Sequence, residues 1–198
     1  DEQNATFAKT FVINVTNVNE APVITQGSGP LTKNVPEEGL ATWIASELNA
    51  TDVDTATASL TWSLSSAPSN GTATVNGTGA SPTIFTYSPG ANFTGNDSFV
   101  VQVTDGALTA SIPVTVTVVA VNDPPVITQG AGPLNKSVPE DGLATWVAGE
   151  LNATDVDTAS ASLTWNLSSA PSNGTATVSG TGASPTIFTS SPGANFTG

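Results

Sequence analysis

The chain has 198 residues, 16 of them acidic and only three basic, which gives a formal net charge of −13. It contains no Cys, Met or His, which excludes disulfides, the usual zinc sites and catalytic Ser-His or Cys-His pairs. Such an acidic chain repels nucleic acids and anionic membrane surfaces, because both bind basic proteins. No apolar run approaches the roughly 20 residues of a membrane helix, so direct membrane insertion is not expected.

The sequence repeats with a period of 103 residues, since VNEAPVITQG begins at Val18 and VNDPPVITQG begins at Val121. Residues 18–95 and 121–198 are identical at 66 of 78 positions. A period near 100 residues is typical of one independently folded domain, not of a short solenoid repeat. We predict the last strand of a preceding repeat in 1–18, a complete repeat in 19–121, and a repeat in 122–198 that is truncated before its last two strands.

The complete repeat contains about seven short runs rich in Val, Thr, Ile and aromatic residues, each bounded by Gly, Pro, Asn or Asp. In VTVTVV the alternation of Val and Thr is the period-2 pattern of a half-buried strand. No long stretch has helical periodicity. The sequence therefore predicts an all-β, immunoglobulin-like sandwich. The predicted strands span residues 22–26, 40–45, 59–66, 71–77, 82–88, 97–104 and 111–121.

Four tryptophans lie at equivalent places in the two repeats. Trp62 and Trp165 occur in SLTW segments that are typical of the central strand of a sandwich, and Trp43 and Trp146 occur in LATW segments. Buried aromatic side chains are commoner than exposed ones, so we predict that both pairs lie in the core. Exposed tryptophans would instead favour an adhesive or carbohydrate-binding module, which is the alternative function.

Acidic residues recur at four places in the repeat: the hinge VNE or VND, the following PEE or PED, the segment TDVD, and TDG. The two carboxylates of TDVDT are too close in sequence to flank a glycosidic bond, so a glycosidase site is not expected. Calcium takes six to eight oxygen ligands, mainly carboxylates and carbonyls, from loops. The pattern favours calcium binding, and solvated turn residues are the alternative because Asp and Asn also favour turns.

The run YSPGANFTGNDSFVVQVTDG from Tyr87, followed by VTVTVVAVNDPP from Val114, resembles the closing segment of the bacterial cadherin-like tandem repeats of large surface and adhesin proteins. The resemblance implies tandem immunoglobulin- and cadherin-like Greek-key β-sandwich domains with calcium between them. The animal cadherin motif LDRE is absent, so fewer calcium ions per hinge are expected. The ligands that the resemblance implies are Glu37, Asp105, Asn122, Asp123, Asp155 and Asp157 at the central hinge, and Glu2, Asn19, Glu20, Asp52 and Asp54 at the first hinge.

Twelve of the 16 asparagines begin an Asn-x-Ser/Thr sequon, where about four would arise by chance. This excess indicates an extracellular fibre with N-linked glycans. A Thr-rich β-protein with Asn-Gly turns is the simpler explanation. The candidate acceptors are Asn4, Asn14, Asn49, Asn70, Asn76, Asn92, Asn96, Asn135, Asn152, Asn166, Asn173 and Asn195.

These patterns predict a non-enzymatic structural repeat protein that forms an extended stalk or fibre outside the cell, on a cell surface or as a secreted filament. The expected partners are neighbouring copies or repeats arranged head to tail, and a surface receptor or glycan. The strand predicted at Phe7–Asn17 has no domain of its own in this chain. We expect it to fill the final-strand position of a truncated repeat in a neighbouring copy, or else the chain is a window of one continuous polypeptide.

Overall fold

A computed structural model describes residues 6–196, which form two compact units that divide between Ala120 and Val121. The predicted all-β fold is confirmed, because the helical residues among those described are two 3₁₀ turns, Thr57–Ser59 and Ser160–Ser162. No helix in the described part of the chain is long and apolar enough to cross a membrane.

Within residues 6–120, unit 1 contains nine strands, and seven of them lie at or near the positions that the sequence predicts. The two additional strands are β2 and β4, which are described below. The nine strands are β1 (Val23–Ile24), β2 (Leu31–Pro36), β3 (Ala41–Thr42), β4 (Ala50–Thr51), β5 (Thr61–Ser66), β6 (Gly71–Thr78), β7 (Ile84–Pro89), β8 (Gly95–Thr104) and β9 (Thr109–Val119).

Strand β2 was missed because its sequence, LTKNVP, has weak strand propensity. It forms because it pairs in parallel with β9, from Leu31 opposite Val114 to Pro36 opposite Val119. Its edge position tolerates Pro36, since proline lacks the N–H that a central strand needs. Strand β4 is only two residues long and pairs with β1 in a separate two-stranded sheet.

Seven strands of unit 1 form one continuous sheet in the order β2-β9-β8-β5-β6-β7-β3. The sheet turns from one layer of the sandwich to the other at β6, which pairs with β5 at one end and with β7 along most of its length. Gly77 stands at this corner with a φ of +124°. A side chain there would place Cβ 2.1 Å from the Thr83 hydroxyl, so only glycine fits.

An aromatic cluster fills the core between the layers of unit 1. Trp43 stacks on Phe85 with ring centroids 4.1 Å apart, and Phe99 meets both rings edge-on at 6.1 and 6.2 Å. Tyr87 stacks on the other face of the cluster, 5.8 Å from Phe99. Trp62 is 1% exposed and Trp43 is 9% exposed, so the prediction that the four tryptophans are core residues is confirmed for the two in unit 1.

Unit 2 repeats only part of this arrangement within residues 121–196. Its counterparts of β3, β7, β6 and β5 form a four-stranded sheet, and a separate pair corresponds to β1 and β4. Trp146 stacks on Phe188 at 4.0 Å, as in unit 1, but Trp146 and Trp165 are only half-buried. The strands are β10 (Val126–Ile127), β11 (Ala144–Thr145), β12 (Ala153–Thr154), β13 (Thr164–Asn166), β14 (Thr175–Thr181) and β15 (Ile187–Ser191).

Residues 6–22 contain no strand, and Phe11, Ile13 and Val15 are exposed. The strand predicted at Phe7–Asn17 is not formed within this single chain, and the expectation that it pairs with a repeat in a neighbouring copy stays a prediction. The physical reason is that a strand requires a hydrogen-bonding neighbour, and no described strand pairs with this segment.

Candidate functional site

Five polar residues lie at the end of the unit 1 sandwich where the chain leads into β1. Asn19 and Glu20 precede β1, Asp52 and Asp54 follow its partner β4, and Asp105 lies in the turn from β8 to β9. The pairing of β1 with β4 and the contact of β1 with β9 bring these segments to one end of the sandwich. We call these five residues the N-terminal acidic cluster of unit 1.

One carboxylate oxygen of Asp52 accepts hydrogen bonds, and the other accepts none. Its Oδ1 accepts hydrogen bonds from the backbone N–H groups of Asp54 and Thr55, at 2.8 and 2.7 Å, and this shapes the TDVDT turn. Its Oδ2 is buried and accepts no hydrogen bond. A buried carboxylate oxygen without a partner is unfavourable, and a bound cation would satisfy it.

Asp54 ties the incoming chain to the same turn. Its Oδ2 accepts a hydrogen bond from the backbone N–H of Glu20 at 2.8 Å, and its Oδ1 accepts one from the Asn17 amide at 2.5 Å. A hydrogen bond shared with the Asp54 carboxylate, followed by like-charge repulsion, raises the pKa of Glu20. The same hydrogen bond lowers the pKa of Asp54, with help from the N–H of Glu20 and from Asn17. A cation bound between the carboxylates of Glu20 and Asp54 would relieve the repulsion of these like charges.

Asp105 lies in this cluster and not at the central hinge, to which the resemblance assigned it. Its Oδ2 accepts a hydrogen bond from the Asn19 amide at 2.8 Å. The N–H of Leu108, then the Asn19 amide and the N–H of Ala107, lower the pKa of Asp105. Strand β9 has 11 residues and separates Asp105 from the end of unit 1, a length of roughly 35 Å. The position of Asp105 could have been predicted from the sequence, because the long strand between the TDG segment and the central hinge places them at opposite ends of unit 1.

Glu37 lies at the opposite end of unit 1 from Asp105. Its backbone N–H donates to the carbonyl of Val119, the last residue of β9, at 3.1 Å, and Glu37 is buried. Two of the ligands that the resemblance implied for one hinge, Glu37 and Asp105, therefore belong to different ends of the same unit. Sequence reasoning also missed Asn17, whose amide reaches Asp54.

Unit 2 repeats the turn geometry at its own N-terminal end. Asp155 Oδ1 accepts hydrogen bonds from the N–H groups of Asp157 and Thr158, at 2.9 and 2.7 Å. Asp157 Oδ2 accepts one from the N–H of Asp123 at 2.6 Å, and the Asn122 amide donates to the carbonyl of Asp123 at 2.9 Å. These four predicted ligands therefore come together within unit 2. Glu2, which was predicted for the first hinge, lies outside the described residues.

The donors at both N-terminal ends are oxygen atoms of carboxylates, amides and backbone carbonyls, which is the ligand chemistry of calcium. Within residues 6–196, no three or more Asp, Glu, His or Cys side chains converge closely enough to form a complete metal cage. Glu20 and Asn19 are exposed, so their side chains can move to complete a coordination shell around Asp52. The donor set and the orphaned Asp52 oxygen fit a hard cation.

The sequon asparagines fall into two structural groups. Asn49 and Asn152 are half-buried, and each side-chain oxygen accepts a hydrogen bond from a serine hydroxyl, that of Ser81 or Ser184. These two are poor acceptors for a glycan. Asn4 lies outside the described residues. The remaining sequon asparagines are exposed: Asn14, Asn70, Asn76, Asn92, Asn96, Asn135, Asn166, Asn173 and Asn195.

The chain is similar to several solved structures. One is an endo-fucoidan hydrolase from glycoside hydrolase family 107, at 20% identity and a TM-score of 0.43, covering 90% of this chain and 26% of that one. A second is extracellular cadherin domains 1–5 of protocadherin gamma B2, at 15% identity and 0.41, covering 89% and 33%. A third is the cis-dimer of protocadherin gamma B7 domains EC3–6, at 18% and 0.42, covering 94% and 46%. This chain spans less than half the length of each.

No curated protein sequence matches the chain. The family model of the bacterial Ig domain matches residues 19–118, which is most of the repeat that the sequence predicts as complete. That match confirms the resemblance to bacterial Ig-like repeats and agrees with the β-sandwich of unit 1. The chain belongs to the bacterial Ig domain family.

Proposed function

We propose that this chain is part of an extracellular structural protein in which bacterial Ig domains, joined head to tail, form an extended stalk or fibre. Near-identity of the two repeats supports a role in which copy number sets length, because a dedicated binding domain normally differs from its neighbours. The absence of His and Cys, with a surface rich in Thr and Ser, is consistent with a non-catalytic role.

Calcium at the N-terminal acidic cluster of each repeat is the second part of the proposal. The buried Oδ2 of Asp52, which accepts no hydrogen bond, carries it. In unit 1 the ligands would come from Asp52, Asp54, Glu20, Asn19 and Asp105, and the last of these is tied to Asn19 already. Bound calcium supplies positive charge among these carboxylates, which otherwise repel one another.

A cation at this position would fix the path of the chain into the repeat. The hinge segment is already attached to the sandwich by two hydrogen bonds, from Glu20 to Asp54 and from Asn19 to Asp105. Those bonds involve exposed groups and are weak in water. Calcium bound to the same carboxylates would strengthen the attachment, and repetition at every hinge would stiffen the fibre.

An adhesive or carbohydrate-binding role is the alternative, and it needs an exposed aromatic platform. The deep burial of Trp43 and Trp62 in the complete repeat argues against such a platform there, so we favour the fibre. N-linked glycans, where a suitable transferase is present, would occupy exposed sequons such as Asn70 and Asn92 and would cover the surface between hinges.

The experiment is calorimetric titration of the chain with calcium, together with thermal unfolding in calcium and in chelator. A ligand present at 100 times its Kd stabilises the folded state by about 2.7 kcal/mol, so the unfolding midpoint should rise clearly in calcium. Asp52→Ala together with Asp155→Ala should abolish the rise. Glu47→Gln, which removes a carboxylate outside both clusters, is the matched control and should keep it. Identical unfolding curves in calcium and chelator for the unmodified chain would refute the calcium site.

Stiffening is measured separately by small-angle X-ray scattering. We expect a larger maximum dimension in calcium than in chelator for the unmodified chain, and no difference for the variant with Asp52→Ala and Asp155→Ala. Calcium binding without any change in scattering would keep the site but contradict the stiffening.

A further inference from the structure

Three sequon asparagines are followed directly by glycine: Asn70, Asn76 and Asn173. An Asn-Gly pair can deamidate without an enzyme. The backbone nitrogen of the glycine attacks the side-chain carbonyl carbon of the asparagine, a C–N bond forms, and the amide nitrogen leaves as ammonia with the proton of the glycine N–H. Water then opens the resulting succinimide ring to aspartate or isoaspartate. Glycine permits this reaction because it has no Cβ to obstruct the ring and its backbone rotates freely.

Strand pairing protects Asn76, because the attack requires the backbone between the asparagine and the glycine to rotate. Asn76 lies inside β6 and is paired on both sides, with Ser63 of β5 and Ile84 of β7. Its carbonyl accepts a hydrogen bond from the N–H of Thr83 at 2.9 Å, and Gly77 packs closely against the same threonine. Rotation at this position would open the sheet, which is unfavourable.

The other two asparagines form a matched pair. Residues 67–75 and 170–178 have the same sequence, APSNGTATV, so Asn70 and Asn173 have the same local chemistry. Both residues are exposed to water. Any difference between their rates of deamidation therefore arises from the structure that surrounds them.

Unit 1 fixes the backbone on both sides of Asn70. The N–H of Asn70 donates to Asp97 Oδ2 at 2.8 Å, and its carbonyl accepts a hydrogen bond from the N–H of Gly90 at 2.8 Å. Gly71 begins β6, and an added Cβ there would lie 2.7 Å from the ring of Tyr87, so this glycine packs against the ring. These contacts resist the rotation that succinimide formation requires.

The equivalent segment of unit 2 is held less firmly. Strand β14 begins at Thr175, so Asn173 and Gly174 precede it, and Gly174 has a φ of +122°, which is outside strand geometry. Ser190 takes the place of the tyrosine ring, and no described residue of unit 2 is equivalent to Asp97. The backbone at this position can therefore rotate without opening a strand pair.

We propose that Asn173 is a site of spontaneous deamidation, whereas the same sequence at Asn70 is protected. The reaction adds a negative charge just before β14, because a carboxylate replaces an amide, and isoaspartate also inserts a methylene group into the backbone. It removes the side-chain nitrogen to which an N-linked glycan would attach, so deamidation and glycosylation exclude each other at this sequon. Neither the fibre nor calcium at the hinges is required for this reaction.

The test is incubation of the 198-residue chain in chelator at pH 8, followed by proteolysis and mass spectrometry with electron-transfer fragmentation, which distinguishes isoaspartate from aspartate. In the folded chain Asn173 should deamidate faster than Asn70 by about tenfold or more, because the protected segment must first open. In urea the two sites should react at equal rates, since their local sequences are identical. Equal rates in the folded chain would overturn the proposal, and so would an Asn173 that reacts only in urea.

A variant tests the protection in unit 1. Asp97→Ala removes the acceptor of the Asn70 N–H and should accelerate deamidation of Asn70 while leaving the rate at Asn173 unchanged. Glu47→Gln, which removes a carboxylate elsewhere in unit 1, is the control and should change neither rate. Circular dichroism verifies that each variant is folded, and the comparison of folded and urea-unfolded chains needs no variant. Equal acceleration of Asn70 in both variants would contradict the protective role of Asp97.

Discussion

Residues 18–95 and 121–198 differ at only 12 of 78 positions, but in this chain only the first segment is followed by strands β8 and β9. The two units therefore place nearly identical sequences in two different tertiary environments. Trp62 is buried in unit 1, whereas Trp165 in unit 2 is half-buried and borders an open cavity of 490 Å³. Unit 2 retains the layer formed by the counterparts of β3, β7 and β6, whereas the layer that contains β9 is represented among the described residues only by β13, the shortened counterpart of β5.

The edge strand demonstrates the effect most directly. Residues Leu31–Pro36 form β2 in unit 1, where β9 is their hydrogen-bonding partner. The equivalent residues 134–139 form no strand, although the two segments differ only by Thr32 to Asn135 and Asn34 to Ser137. Strand β13 likewise has three residues where β5 has six, because β6 pairs only with the first half of β5 and the second half pairs with β8 alone. Partner strands, more than local sequence, determine these elements.

A buried carboxylate links the two layers of unit 1. Asp97 on β8 accepts hydrogen bonds from the N–H groups of Ser69 and Asn70, at 3.1 and 2.8 Å, and from the Tyr87 hydroxyl at 3.0 Å. This fixes the loop between β5 and β6. In unit 2 the position of Tyr87 is Ser190, and no described residue is equivalent to Asp97. Unit 2 therefore lacks both partners of the hydrogen bond between Tyr87 and Asp97, because serine replaces the tyrosine and no described strand is equivalent to β8.

The largest effect is expected from completing unit 2. Adding the sequence of residues 96–121 after Gly198 supplies counterparts of β8 and β9. Residues 134–139 should then form a strand, and their amide hydrogen exchange should slow by about 100-fold or more. The reason is that exchange would require cooperative opening of the sheet, which costs more free energy than local opening of an unpaired segment. Hydrogen exchange measured by mass spectrometry checks this. A Gly/Ser extension of the same length is the control, and equal protection in both would contradict the role given to β9.

The next effect concerns the tyrosine that distinguishes the repeats. Tyr87→Ser removes a ring stacked on Phe99 and the hydroxyl that donates to Asp97. It should lower the free energy of unfolding of unit 1 by about 3 kcal/mol or more. The reverse change, Ser190→Tyr, should alter unit 2 by less than about 1 kcal/mol in the present chain, since the ring would find neither partner. Urea unfolding followed by hydrogen exchange in each unit measures both, and equal effects would remove the distinction.

A smaller, pH-dependent effect should also separate the units. Burial alone would raise the pKa of Asp97, but the N–H groups of Asn70, Ser69 and Ser98 and the Tyr87 hydroxyl lower it below its ordinary range. Because the folded pKa is below the unfolded value near 4, this carboxylate stabilises unit 1 at neutral pH. The stabilisation is lost as the pH falls from about 4 through the folded pKa.

Asp97→Asn should therefore destabilise unit 1 at pH 7 by about 2 kcal/mol and flatten its acid transition. Unfolding curves between pH 7 and pH 2 provide the measurement, with Ser98→Ala as the control. An unchanged acid transition in the Asn variant would assign the pH dependence to other carboxylates.

The smallest effect should be equal in the two units. Lys33 lies 5.3 Å from the Trp43 ring centroid and pairs with Glu47, and Lys136 lies 5.6 Å from the Trp146 ring and pairs with Glu150. Neither arrangement involves β8 or β9. Lys33→Ala and Lys136→Ala should each lower stability by about 0.5–1 kcal/mol, since these contacts are partly exposed. A much larger loss in one unit would show that the lysine is coupled to the missing strands.

The sequence by itself determined the repeat, the seven principal strands and the buried tryptophans of the complete unit. Each of these depends on local information, namely a period of 103 residues, alternation of apolar and polar residues, and turn residues between them. The resemblance to cadherin-like repeats also assigned Asn19, Glu20, Asp52 and Asp54 to one site, and the structure places all four at the same end of unit 1.

Only the tertiary structure decided the remaining features. Strand β2 exists because β9 lies beside it, and Asp105 belongs to the N-terminal acidic cluster because the hairpin of β8 and β9 turns at that end. The unsatisfied oxygen of Asp52 likewise depends on what surrounds the turn, not on the turn itself. The physical reason is that strand pairing and burial are contacts between residues far apart in sequence, so local propensity cannot specify which partner a strand or a carboxylate finds.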